Sequence, residues 1–99
     1  MAKLQVAIDL LNIDDAIALA TKVAPYIDII ELGTPLIKSE GLAGIRKMKD
    51  AFPDKLVLAD FKTADAGELE ANMAFGAGAD YVTVLGATGD STILGAVKA

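Results

Sequence analysis

A chain of 99 residues is long enough for one small domain with an apolar core and too short for two, so residues 1–99 are expected to form one unit. The 9 Lys and Arg against 14 Asp and Glu leave a formal net charge of -5, which argues against nucleic acid or an anionic membrane as the main partner. Cys and His are both absent, which excludes disulfides, thiolate sites and imidazole chemistry.

Any proton transfer must therefore use Asp, Glu, Lys or Tyr. Any metal must sit on carboxylates and water, which favours a hard cation such as Mg²⁺. The N-terminal Met1-Ala2-Lys3-Leu4-Gln5 has no apolar signal region, and no apolar run is long enough to span a bilayer. A cytoplasmic location is the expectation.

Leu4 to Leu11 is nearly all apolar and reads as a strand buried on both faces. Asn12 then offers an N-cap, with Asp14 and Asp15 in the first turn, where the helix dipole favours acids. Ile13, Ala16, Ile17, Ala20, Val23 and Ala24 recur at helical spacing until Pro25 stops them. Ile27 to Leu32 is the second strand, closed by Gly33-Thr34-Pro35, with Pro35 biasing Thr34 towards an extended conformation. Ser39-Glu40-Gly41 opens a second helix, whose apolar face is Leu42, Ile45 and Met48 and whose Arg46, Lys47 and Lys49 read as a solvated face. It ends at Pro53-Asp54. The third strand is Lys55 to Asp60. The third helix starts near Asp65, with Leu69 and Met73 turned inward, and stops at Gly76 or Gly78. Ala79 to Leu85 is the fourth strand, and Asp90-Ser91-Thr92 caps a last helix from Ile93 to about Lys98. A faint repeat links Ile27-Asp28-Ile29-Ile30 to Ala79-Asp80-Tyr81-Val82.

Strand then helix, repeated through the chain, predicts an α/β fold with parallel strands and right-handed crossovers. Such units can form a (βα)4 half of a TIM (β/α)8 barrel or a flavodoxin-like open sheet. The polar residues favour the half-barrel. Asp9, Glu31 and Asp60 each end a strand, and sites in parallel α/β folds form at that end. Asp60 and Lys62 lie two apart, hence on one face of a strand. An ion pair at a barrel mouth is one reading of them. The other starts from Glu31, which should arrive on the same face; two carboxylates repel unless a cation sits between them, and Mg²⁺ would resolve that. Asp65 reads equally as a helix cap. Thr34, Thr83 and Thr88 read as turn or strand residues. Gly86-Ala87-Thr88-Gly89 lacks the Lys of a phosphate loop.

Three segments carry a resemblance: Leu4-Gln5-Val6-Ala7-Ile8-Asp9-Leu10, Asp28-Ile29-Ile30-Glu31-Leu32-Gly33-Thr34-Pro35 and Asp60-Phe61-Lys62-Thr63-Ala64-Asp65-Ala66-Gly67. With Tyr81 to Gly86 and Ile93 to Ala99, they resemble the 3-hexulose-6-phosphate synthase family of the orotidine 5′-monophosphate decarboxylase suprafamily. The hallmark D-x-K-x-x-D is Asp60, Lys62 and Asp65. A relative on the same scaffold is 3-keto-L-gulonate-6-phosphate decarboxylase. The resemblance implies a Mg²⁺-dependent lyase of the aldolase type, acting in formaldehyde assimilation by the ribulose monophosphate pathway. Formaldehyde joins D-ribulose 5-phosphate to give D-arabino-hex-3-ulose 6-phosphate. It further implies that Glu31 and Asp60 ligate Mg²⁺, that Asp9 and Lys62 hold substrate hydroxyls and help move protons, and that Asp65 reaches into the partner's site of a homodimer. The family's barrel has eight βα units and this chain has four, without the later strands that carry a His, an Arg and the phosphate grip. The expectation is an N-terminal half with weak or no activity of its own. The alternative is a non-catalytic half-barrel module that self-associates into a homodimer or higher oligomer to complete a barrel.

Overall fold

The apolar runs become four strands in a computed structural model that describes all of residues 1–99: β1 (Gln5–Ile8), β2 (Ile29–Leu32), β3 (Leu56–Thr63) and β4 (Tyr81–Val84). Between and after them run α1 (Ile13–Val23), α2 (Thr34–Ala51), α3 (Gly67–Gly76) and α4 (Asp90–Lys98), with short 3₁₀ turns at Ala24–Tyr26 and Gly86–Thr88. The strands are parallel, in the order β1-β2-β3-β4. Every crossover thus steps the same way, and right-handed steps in one direction put all the helices on one face. A flavodoxin-like sheet requires the strand order to reverse. It does not reverse here, so the chain is a (βα)4 half-barrel.

The two faces of the sheet differ sharply. Ile8, Leu32 and Ala59 form one row across it and are at most 1% exposed. With Ile30 and Val57 they pack against Ile13, Ala16, Ala20, Leu36, Ile45, Met48 and Ala74 of the helices. The neighbouring row, Ala7, Glu31, Leu58 and Tyr81, belongs to the concave face, where Ala7 and Tyr81 are exposed and Glu31 and Leu58 are half-buried. A strand buried on both faces was the wrong expectation for β1, because no layer covers the concave side. Leu10 and Leu11 lie beyond β1 and are 42% and 64% exposed.

The helices follow local chemistry. Asn12 caps α1 as its sequence suggests, its Oδ1 accepting the backbone N–H of Asp14 and of Asp15 at 2.9 and 3.1 Å. Glu40 of α2 takes the Ile13 N–H at 2.8 Å, which seals the same helix end. Helix α2 begins at Thr34, not at Ser39. Pro35 falls in its first turn, where a missing N–H leaves no bond unmade and the fixed φ suits the helix. The expected start at Ser39-Glu40-Gly41 marks a real break, since Gly41 sits at φ 63° inside α2. Leu69 and Met73, expected inside, are 65% and 43% exposed; α3 instead buries Gly67, Ala71 and Ala74. Asp65 caps nothing: Ala66 precedes α3 in a left-handed conformation without a side-chain bond. Helix α4 starts at Asp90, earlier than expected and without a side-chain cap. Thr92 is buried there, and its hydroxyl donates to the Ala64 carbonyl at 3.2 Å.

The faint repeat has a structural meaning. Asp28 accepts the Leu4 N–H at 2.8 Å and returns its own N–H to the Leu4 carbonyl at 2.8 Å. Asp80 treats Val57 identically, accepting its N–H at 2.8 Å and donating to its carbonyl at 2.8 Å. Each aspartate fixes the register of its strand against the strand before it. Asp80 also pairs with Lys49 at 2.9 Å, and Lys49 donates to the Lys55 carbonyl at 2.7 Å. Lys49 is thus a clasp between α2 and two strands and not part of a solvated face.

Burial pushes the Asp80 carboxyl up, but the Val57 N–H and the Lys49 ammonium outweigh it and hold the group below its ordinary value of 3.8. A carboxyl depressed in the folded chain stabilises it above the unfolded pKa and stops doing so as pH falls through the folded value. Asp80→Ala is expected to cost about 1–2 kcal/mol at neutral pH, because a charged hydrogen bond to buried backbone is lost. Urea titrations at pH 7 and in acid check it, since the gap between wild type and variant should narrow as pH falls below the ordinary carboxyl value.

Candidate active site

Strand β3 is 8 residues long and the other three strands are 4 each, so its C-terminal half overhangs the sheet. Ala59 pairs with Val82 and Thr63 with Val84, so β3 takes four steps where β4 takes two. The surplus is a bulge containing Asp60, Phe61 and Lys62, and bulges re-aim side chains at sheet rims. Lys62 turns through the left-handed region at φ 48°. Simple alternation along a strand therefore does not bring Asp60 and Lys62 together. The bulge does.

Lys62 Nζ lies 2.5 Å from Asp60 Oδ2 and donates to Thr34 Oγ1 at 2.7 Å. The Thr34 hydroxyl in turn donates to the Asp60 carbonyl at 2.7 Å. On the other side, the Thr83 hydroxyl donates to Asp60 Oδ1 at 2.6 Å and accepts the Lys62 backbone N–H at 2.9 Å. Four residues from β3, β4 and the start of α2 thus form one closed network at the C-terminal rim. Burial raises the Asp60 pKa, but the Lys62, Thr83 and Thr34 side chains and the Lys62 charge pull it further the other way, leaving it below 3.8. Asp60 is the anionic anchor of the rim.

Glu31 belongs to the same concave face. Leu58 is its register partner on β3, and Asp60 is the next residue on that face. Its Oε1 accepts from Gln5 Nε2 at 2.6 Å. Asp9 follows β1 and is exposed at the rim. A Cβ on Gly33 would fall 1.8 Å from Asp9 Oδ1, so the missing side chain makes room for that carboxylate. Asp65 stands apart. It is exposed, makes no hydrogen bond or ion pair, and lines a separate cavity of about 370 Å³ with Gly67, Glu68, Ser91 and Thr92. The rim therefore gathers Asp9, Glu31, Asp60 and Lys62 on the strand ends and leaves Asp65 outside.

The donor set at the rim suits a hard cation. Glu31 and Asp60 offer carboxylate oxygens from adjacent strands on one face, and neither His nor Cys competes. Mg²⁺ uses one or two carboxylates and fills its octahedron with water and substrate oxygens. No group of three or more His, Cys, Asp or Glu stands close enough together to hold a metal ion by itself.

Sequence reasoning missed Thr34 and Thr83. Alternation along β4 carried the signal for Thr83, since it shares the concave face with Tyr81. At Thr34 the signal is masked by Pro35, since an X-Pro pair suits an extended segment as well as a helix start.

Known proteins share this arrangement of strands. The profile of the Orotidine 5'-phosphate decarboxylase / HUMPS family matches residues 2–99. The 3-hexulose-6-phosphate synthase of Mycobacterium gastri is 69% identical over 97 residues, covering 98% of this chain and 47% of its own. That of Bacillus subtilis (strain 168) is 53% identical over 96 residues, covering 97% and 46%. A crystal structure of a 3-hexulose-6-phosphate synthase superposes with a TM-score of 0.96 at 69% identity, over 98% of this chain and 47% of that one. The chain spans about half the length of the relatives it matches.

Proposed function

The chain belongs to the Orotidine 5'-phosphate decarboxylase / HUMPS family, and from that premise we propose that its rim is the metal-binding side of a 3-hexulose-6-phosphate synthase site. The reaction is the aldol condensation of formaldehyde with D-ribulose 5-phosphate. One observation carries the reading: the closed Asp60, Lys62, Thr34 and Thr83 network beside Glu31, in a chain 69% identical to a synthase.

Glu31 and Asp60 would hold Mg²⁺, which when bound supplies Lewis acidity towards negative charge developing on substrate oxygens. Lys62 has three N–H donors and spends two within the chain, on Asp60 and Thr34. The third is free to donate to a substrate hydroxyl and to hold or release a proton there. Asp9, exposed at the neighbouring strand end, accepts from another hydroxyl and orients the sugar. Asp65, outside the rim, is assigned to the site of a partner subunit across a dimer contact. By the resemblance, the grip on phosphate would lie on later strands, so the chain alone is expected to turn over weakly. Remote binding energy is what such enzymes use to stabilise the transition state.

Formaldehyde consumption in the presence of ribulose 5-phosphate and Mg²⁺, followed over a range of chain concentrations, tests the reading. Turnover lost in both Asp60→Ala and Lys62→Ala supports it. Equal turnover in wild type and Asp60→Ala overturns it.

A second reading rests on the open sheet edges. β1 and β4 each have one unpaired edge, and the concave face has no cover. Open parallel edges recruit further strands. A non-catalytic module that pairs with a second copy to close an eight-stranded barrel fits that feature. Sedimentation equilibrium is expected to give a dimer or larger species, and a monomer at every concentration sinks the idea.

A further inference from the structure

Lys62 occupies a backbone conformation that costs a non-glycine residue energy, at φ 48°. Something in the fold must hold it there. Its backbone N–H donates not to a neighbouring strand's carbonyl but to the Thr83 hydroxyl at 2.9 Å. That hydroxyl has a single proton, which it spends on Asp60 Oδ1 at 2.6 Å. Thr83 is therefore oriented by both partners and ties the left-handed turn to the carboxylate two residues before it.

Thr34 repeats the device at the other end of the lysine. It accepts from Lys62 Nζ at 2.7 Å and spends its proton on the Asp60 backbone carbonyl at 2.7 Å. The ammonium is thus held at two points, Thr34 Oγ1 and Asp60 Oδ2. Two fixed donors on a tetrahedral nitrogen fix the direction of the third. The Lys62 side chain is still 55% exposed, so packing does not immobilise it and the hydrogen bonds must.

We propose that Thr83 and Thr34 are positioning residues for Lys62: Thr83 holds its backbone in the left-handed turn, and Thr34 holds its ammonium so that one N–H points at the substrate. The substrate-facing role rests on the synthase reading above; the positioning itself does not. Valine and serine separate the hydroxyl from the rest of the side chain. Valine keeps the branched shape and removes the oxygen, and serine keeps the oxygen.

The experiment uses the isotopically labelled chain without substrate. Amide hydrogen exchange at Lys62 is expected to quicken about tenfold or more in Thr83→Val and to stay near wild type in Thr83→Ser, with the Val57 amide unchanged in both as the control for global stability. The two ε-methylene proton signals of Lys62 are expected to be distinct in wild type and Thr34→Ser and to merge in Thr34→Val, as they do for a freely rotating lysine. Unchanged Lys62 exchange in Thr83→Val, or distinct ε signals in Thr34→Val, overturns the proposal. Turnover is measured on the same samples. A fall in kcat without a change in KM for ribulose 5-phosphate in Thr34→Val supports the substrate-facing part. Absence of wild-type turnover overturns the synthase reading for this chain, while the exchange and methylene results still decide whether the threonines position Lys62.

Discussion

Gly67→Ala is expected to destabilise the chain by about 2 kcal/mol, although alanine is ordinarily the better helix residue by about 1 kcal/mol. Two effects of opposite sign meet at this position. Gly67 opens α3, and a Cβ there would lie 2.0 Å from the Thr92 carbonyl oxygen and 3.1 Å from the Ala96 nitrogen of α4. Both are backbone atoms of a helix, so neither can swing aside. Gly95 faces the same crossing, where a Cβ would meet the Glu68 nitrogen at 2.9 Å. The two helices approach this closely only because both positions lack side chains. Overpacking costs about 1–3 kcal/mol or more, which exceeds the propensity gain. In thermal melts that is a fall on the order of 10 °C for a chain of this size. Gly76→Ala is the control with the opposite sign. It ends the same helix, has nothing within 4 Å of its would-be Cβ, and should raise stability by about 0.5–1 kcal/mol. A Gly67→Ala melt at or above wild type would mean that α4 can move off α3 freely.

Lys62→Ala is expected to lower whatever turnover the chain sustains by about 10²–10⁴-fold, the usual contribution of a positioned proton donor. Its effect on stability should be small. The Lys62 side chain is 55% exposed, and an exposed ion pair contributes about 1 kcal/mol at most. Activity and stability should therefore separate cleanly, as measured by formaldehyde consumption and urea unfolding of one preparation. Asp60→Ala should behave differently. It strips the Thr83 hydroxyl of its acceptor as well as Lys62 of its counter-charge, so stability falls by about 1–2 kcal/mol along with turnover. A Lys62→Ala variant with wild-type turnover would remove Lys62 from the chemistry altogether.

Much of this was legible in the amino acids. The order of strands and helices followed from apolar runs and helical spacing, and the half-barrel followed from acids at three strand ends. The misreadings share a cause. Spacing reports which residues repeat, not which surface lies behind them. Leu69 and Met73 have helical spacing but point away from the core, because small residues let α3 sit close to its neighbours. Leu10 and Leu11 extend an apolar run past the end of β1 because loops carry apolar residues too. Pro35 begins a helix as readily as it ends one. The bulge in β3 was invisible, since no glycine marks it and Lys62 itself takes the left-handed conformation. Asp9, Glu31, Asp60 and Lys62 were found because charge near a buried strand demands a reason. Thr34 and Thr83 were passed over because a hydroxyl demands none.

The unlike faces of the sheet have a consequence for how such a chain can diversify. The residues that hold the helices lie on one side, and the residues of the rim lie on the other or beyond its edge. Ala7, Glu31 and Leu58 lie on the face turned away from the helical core, so a library randomised there should keep its melting behaviour while its ligand preferences scatter. New chemistry could be selected on this scaffold without first restoring the fold.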